Sequence, residues 1–272
     1  MTSISVKQQL HSYINDLAIL GQNPLQWEYK NTLVRLKTFI IRQAGCENDA
    51  KTIKLTVSEL FDAAIRTDEA NPTPYKTVAF LTYEIRDVIP ATARDWTKSG
   101  QENNQGPSLF GKLLSDRASA FLRAPPVGRR LSGQVERTDH PNIALLRPSE
   151  RINLAVFIGC LADYRLLDFS VVYMYILRFL RSVSVPRPTH SDLEAVCRML
   201  CAAHSIVMHS PWFGNVYNAL EFVRRQMTET LDNSLRVLLL VDSLFLSNVI
   251  GDHLEGQDER YGPLFRVVET GI

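Results

Sequence analysis

The sequence predicts an all-α chain, an α-α superhelix (solenoid) built from about five antiparallel helical hairpins. Three observations carry this expectation. Apolar residues recur at helical three-four spacing along most of the 272-residue chain. No segment alternates apolar and polar residues over a useful length, as a half-buried strand would. The links between the apolar stripes are mostly short, which favours antiparallel hairpins, and hairpins with no dominant central pocket bury their faces by stacking.

The elements follow in order. Leu10, Tyr13, Ile14 and Leu17 form one apolar stripe. A second helix is expected to open at Pro24 and carry Trp27, Leu36, Phe39 and Ile40. The segment TIKLTVSELFDAAIR gives a third, with Val57, Leu60, Phe61, Ala64 and Ile65 on its buried face. NPTPYKTVAFLTYEIRDVIP begins a fourth after two prolines and stops at Pro90, and GPSLFGKLLSDRASAFL gives a fifth with Leu109, Phe110, Leu113, Leu114 and Phe121 in register.

The run FIGCLADYRLLDFSVVYMYILRFLR is long and apolar, yet Asp163, Arg165, Asp168 and Arg178 interrupt it, so a membrane span of ~20 apolar residues is not expected. Leu154, Phe157, Ile158 and Leu161 mark one helix, and Val172, Tyr175, Ile176 and Phe179 mark the next. ADYRLLD is the turn between them, with Asp168 as a cap. Gly159 weakens its helix by about 1 kcal/mol relative to alanine, which points to a close helix-helix approach.

PTHSDLEAVCRMLCAAHSIV follows with a Thr189 or Ser191 cap and Leu193, Val196, Cys197, Leu200 and Cys201 on one face. WFGNVYNALEFVRRQM and the nearly all-apolar LDNSLRVLLLVDSLFLSNVI complete about ten helices. The chain is expected to be one helical-repeat domain over residues 1–272, with an exposed mobile loop at about 124–149 rich in proline, glycine and charge.

Composition narrows the function classes. Hydrophobic residues make up 45% and charged residues 22%, an ordinary globular balance. A net charge of +1 leaves any nucleic-acid contact to a local patch. Cys46, Cys160, Cys197 and Cys201 sit in or beside apolar runs without zinc-ligand spacing, so reduced buried thiols and no metal are expected. The N-terminus has neither a signal-peptide core nor transit character. Six scattered histidines recruit no nucleophile by spacing, and GRRLSG is not a phosphate loop. The expectation is therefore a chain that is not an enzyme and needs no cofactor.

Several of these segments resemble the middle domain of eukaryotic translation initiation factor 4G. Phe157, Ile158, Gly159 and Leu161 match one helix of that family, and Leu193, Glu194, Cys197 and Leu200 match another. SELFDAAIRTDEANPTPYKTVAFL, SLFGKLLSDRASAFL and NSLRVLLLVDSLFLSN follow the family's order. The likeness runs roughly from Lys51 to Asn248. Departures occur in the last helix, with Ser234 where the family usually has arginine and an ending of SLFLSN.

The resemblance implies five HEAT-type hairpins and a cytoplasmic translation initiation scaffold. Such a scaffold docks a DEAD-box RNA helicase (initiation factor 4A in translation) and orients its two lobes. It also implies contact with mRNA. A same-fold scaffold in mRNA decay, splicing or nuclear mRNA processing, binding another DEAD-box helicase, is the first rival. An unrelated all-helical enzyme or ligand carrier is the second.

On the family's pattern, helicase contact falls to Asp192, Glu194, Arg236, Val237 and Asp242. For Asp192 and Glu194, complementation of a helix dipole is an equal reading. For Arg236, a structural salt bridge is the stronger one. Candidate RNA-binding residues are Arg178, Arg181 and Arg187 around one turn, Arg224 and Arg225 in the next hairpin, and Arg129 and Arg130 in the long loop. Arg129 and Arg130 lie in the long loop beside Ser132, which has the sequence context of a basic-directed phosphorylation site. Trp212 and Phe213 are either a staple onto the core or an exposed hot spot. Tyr13, Tyr29 and Tyr83 all lack the leucine spacing of a cap-binding-protein peptide, so that partner is expected to be reached only through segments outside this chain.

Overall fold

Capping and apolar spacing set the first helices. Ser5 opens α1 (Val6–Leu20) with a capping box to Gln8, and Leu10, Ile14 and Leu17 turn inward. The computed structural model describes residues 5–21, 25–44, 49–66, 74–93, 105–123, 142–180, 189–203 and 206. After α1 come α2 (Trp27–Ala44), α3 (Asp49–Ile65), α4 (Pro74–Arg86) and α5 (Gly106–Leu122). A short 3-10 turn (Ile143–Leu145) precedes α6 (Pro148–Asp163), α7 (Phe169–Leu180) and α8 (His190–Ala202). Among the described residues the structure is thus all-helical, with eight α-helices and no strand. None of these helices is long and apolar enough to cross a membrane.

Packing has a regular rhythm. Neighbouring helices pack from α1 through α5 and again from α6 through α8, and α1 with α3, α3 with α5, α5 with α7, α4 with α6 and α6 with α8 also pack directly. Phe61 of α3 is a junction: its ring lies 5.7 Å from Phe121 of α5 and 5.1 Å from Phe157 of α6, the latter edge-on. The Tyr175 hydroxyl on α7 donates to the Ala118 carbonyl of α5 at 2.8 Å, satisfying a fully buried polar group.

α6 is enclosed on nearly all sides. Asn153 through Gly159, with Leu161 and Ala162, are buried, and the helix packs against α3, α4, α7 and α8. At Gly159 the approach to α8 leaves no room for a side chain. A β-carbon there would sit 2.4 Å from the Met199 carbonyl oxygen and 2.9 Å from Ala202 Cβ of α8. The close approach expected from the sequence is therefore present.

Most sequence expectations for these helices hold. The turn between α6 and α7 is short, and Asp168 caps α7 by accepting from the Ser170 amide at 2.7 Å. Thr189 is the cap of α8. Cys160, Cys197 and Cys201 form no disulfide among the described residues, and burial pushes the Cys160 thiol up to about 11.

Three expectations change. α2 starts at Trp27, and Trp27 points outward with 74% of its surface exposed, because the inward face is taken by Tyr29, Leu36 and Ile40. The expected loop ends early. Asn142 caps the 3-10 turn through the Ala144 amide and donates to the Arg123 carbonyl at 2.8 Å, and α6 already begins at Pro148. Ile143 is buried and anchors the turn. The stretch 124–141 and the helices expected beyond residue 206 lie outside the described residues.

Gly159→Ala is expected to destabilise the chain by about 1–3 kcal/mol despite alanine's higher helix propensity, because α6 and α8 must separate. Gly111→Ala on α5 meets nothing within 4 Å and is expected to stabilise by about 0.5–1 kcal/mol. Urea unfolding of the two variants checks the opposite signs.

Candidate functional site

The site begins with the residues of α4 that its buried face does not use. Tyr75, Val78, Ala79, Leu81, Thr82 and Ile85 face the core. Phe80 and Tyr83, three residues apart, are left on the other side with Arg86 one turn further. α4 packs along α6, so the C-terminal ends of both helices meet at one edge. There Phe80, Tyr83 and Arg86 face Asp163, Tyr164 and Arg165 across a groove of about 560 Å³.

The aromatic rings form a platform. Tyr83 and Tyr164 have centroids 5.5 Å apart and ring planes tilted by 33°. The Arg86 guanidinium sits 4.8 Å above the Tyr83 ring, and Asp87 holds it from the side at 3.0 Å. Burial, with Cys160 and Asp163 adding to it, raises the Tyr164 phenol above its usual value. Two helix C-termini give the edge a negative dipole potential, which the two arginines complement.

Arg165 has a backbone that is unusual for its residue type. Its φ is +56°, in the left-handed region, the only positive φ on a non-glycine residue among those described. The conformation closes α6: the Arg165 amide donates to the Ala162 carbonyl and the Leu166 amide to the Leu161 carbonyl, both at 2.8 Å. Glycine usually occupies this position, and arginine there costs about 1 kcal/mol more. The side chain is exposed at the groove rim and makes no ion pair among the described residues. Aromatic rings and arginines presented on rigid helix ends are suited to gripping another macromolecule.

The residues singled out from sequence are placed differently. Asp192 is buried: its Oδ1 accepts from Arg151 of α6 at 2.8 Å, and its Oδ2 accepts from the Thr189 amide at 3.1 Å and from the Thr189 hydroxyl. Both oxygens therefore have partners within the chain. Glu194 accepts from Arg198, one turn along, at 2.7 Å. Arg178 lies half-buried in the last turn of α7. Arg181, Arg187, Arg224, Arg225, Arg236, Val237 and Asp242 lie outside the described residues, as do Arg129, Arg130, Ser132, Trp212 and Phe213.

Sequence reasoning missed the groove. Its signal was faint: Phe80, Tyr83 and Arg86 fall off the buried stripe of α4, and the ADYRLLD turn has arginine where glycine would be easiest. It also missed a polar contact between α1 and α3. There His11 Nδ1 lies 2.7 Å from the buried Glu59 carboxylate, with Lys7 at 3.9 Å. Among the described residues no group of three or more His, Cys, Asp or Glu side chains is placed to hold a metal ion.

Two stability tests follow. Arg151→Leu leaves the Asp192 carboxylate buried without its cation and is expected to cost about 3 kcal/mol, or roughly 6–12 °C in Tm. The Asp168 carboxyl is held below its usual value by its hydrogen bonds from Ser170. A depressed folded value means that its contribution is full above the ordinary value of about 3.9 and fades as pH falls through the folded one. Wild-type and Asp168→Ala melting curves should differ by about 1 kcal/mol at neutral pH and converge in strong acid.

Compared with known proteins, the chain matches no family model, no curated protein and no solved structure.

Proposed function

We propose that the chain is a non-enzymatic scaffold that docks a DEAD-box RNA helicase along its helix-turn edge, in the manner of the initiation factor 4G middle domain. The described helices are then successive turns of a HEAT-type solenoid of about five hairpins. What supports the solenoid reading is the packing of alternate helices, α1 on α3 on α5 on α7 and α4 on α6 on α8. In the translation setting the partner is initiation factor 4A, the location is the cytoplasm, and mRNA adds a further contact through arginines such as Arg178.

One observation carries the docking reading: Arg165 is kept at a rim position that glycine would occupy with less strain, beside an aromatic platform. Backbone strain of this kind persists where the side chain has a task. Arg86, Tyr83 and Tyr164 supply the remaining anchors. A rigid edge that binds one arrangement of the helicase lobes better than another shifts the lobes toward it by the difference in binding free energy. No covalent chemistry by the scaffold is required.

Arg165→Gly separates fold from function. It should raise Tm by roughly 2–4 °C as the left-handed strain is relieved. It should also lower the stimulation of initiation factor 4A ATPase at saturating RNA by about tenfold. Full stimulation by the variant would remove Arg165 from the docking edge. Binding of initiation factor 4A without any change in its ATPase rate would remove the lobe-orienting mechanism. Stimulation only of a helicase from decay, splicing or nuclear mRNA processing would move the scaffold to that setting.

A further inference from the structure

A second surface lies on α2, and its composition is of a different kind. The inward face of α2 packs on α1 and α3. On its outward face Trp27, Val34 and Ile41 are 74%, 60% and 45% exposed. They are spaced by seven residues. Seven residues are almost two helical turns, so the three side chains fall within about 40° of one another and form a seam ~21 Å long.

The seam is one side chain wide and framed by cations. Helical geometry puts Lys30 on one side of it and Arg35 on the other. α2 carries Lys30, Arg35, Lys37 and Arg42 against Glu28 alone, a net of +3. Lys37 is engaged by Glu84 of α4 at 2.7 Å, and Arg42 also interacts within the chain. Lys30 and Arg35 are exposed and make no ion pair among the described residues.

We propose that this face of α2 is a docking surface for an acidic amphipathic helix of a partner protein. The heptad spacing matches a helix that presents an apolar residue every two turns. The flanking cations match acidic residues beside that apolar row and repel a basic one. A second copy of this chain fits poorly, because pairing α2 with itself brings Lys30 and Arg35 of the two copies together with Glu28 as the one acidic residue of each helix. An anionic membrane fits less well, because membrane-surface helices bury a broad apolar face and need no seven-residue register. This surface is separate from the groove between α4 and α6 and does not depend on its function.

The test uses the full chain and a synthetic fluorescein-labelled peptide of three heptads. The peptide has leucine on the contact seam and glutamate beside it; a control of identical composition has the leucine register scrambled. The register peptide is expected to bind at least about tenfold tighter than the control. Val34→Glu and Lys30→Glu/Arg35→Glu should each weaken it about tenfold, with Tm unchanged because these side chains are exposed. Equal binding of the two peptides would overturn the proposal, as would binding indifferent to Val34→Glu. Co-sedimentation with phosphatidylserine vesicles that depends on Trp27 and Val34, without peptide binding, would assign the face to a membrane and also overturn it. So would a dimer in sedimentation equilibrium that Val34→Glu abolishes.

Discussion

The contact between the Gly159 backbone and the Met199 carbonyl of α8 is the constraint around which the rest is arranged. α6 has no polar side of any length, so it must be covered all round, and its helix axis can reach that of α8 only where a β-carbon is missing. With that contact made, Arg151 of α6 meets Asp192 at the start of α8, and Phe157 meets Phe61 of α3. The same helix packs along α4 on another side, which sets the ends of α4 and α6 together, brings Tyr164 against Tyr83 and creates the groove.

The same arrangement explains why the edge can be rigid and exposed at once. Tyr83 and Arg86 stand on a helix whose other face is fully buried, and Tyr164 and Arg165 follow directly on a helix that is buried on nearly every face. The stacked tyrosine rings and the Arg86 guanidinium so mounted lose little further freedom when a partner arrives, which favours tight recognition from a small area. The left-handed backbone at Arg165 belongs to the same logic, since the buried Leu161, Leu166 and Leu167 fix the path of the turn on both sides.

Much of the fold was legible in the sequence because burial leaves a period. Leu10, Ile14 and Leu17, or Val57, Leu60, Phe61 and Ala64, announce a helix and its inward face at once. Gly159 was legible because an unfavourable residue in an apolar helix needs a reason. Trp27 was misjudged, since an aromatic at a helix start looks like core material and only the tertiary position shows that Tyr29 takes the inward face. Asp192 shows a different limit: the capping signal with Thr189 was visible, but Arg151 is 41 residues away and no local pattern pairs them. His11 and Glu59, 48 residues apart, are hidden for the same reason. The groove was illegible because its residues come from the ends of two helices whose alignment is set by packing, not by spacing.

The hydrogen bond from Asn142 to the Arg123 carbonyl ties together two points 19 positions apart in the chain. Anchoring both ends of a connection makes the folded body nearly indifferent to its length, since doubling a flexible loop costs only about 0.6 kcal/mol in closure entropy. That junction is therefore a natural place to splice in a fluorescent protein or an affinity handle.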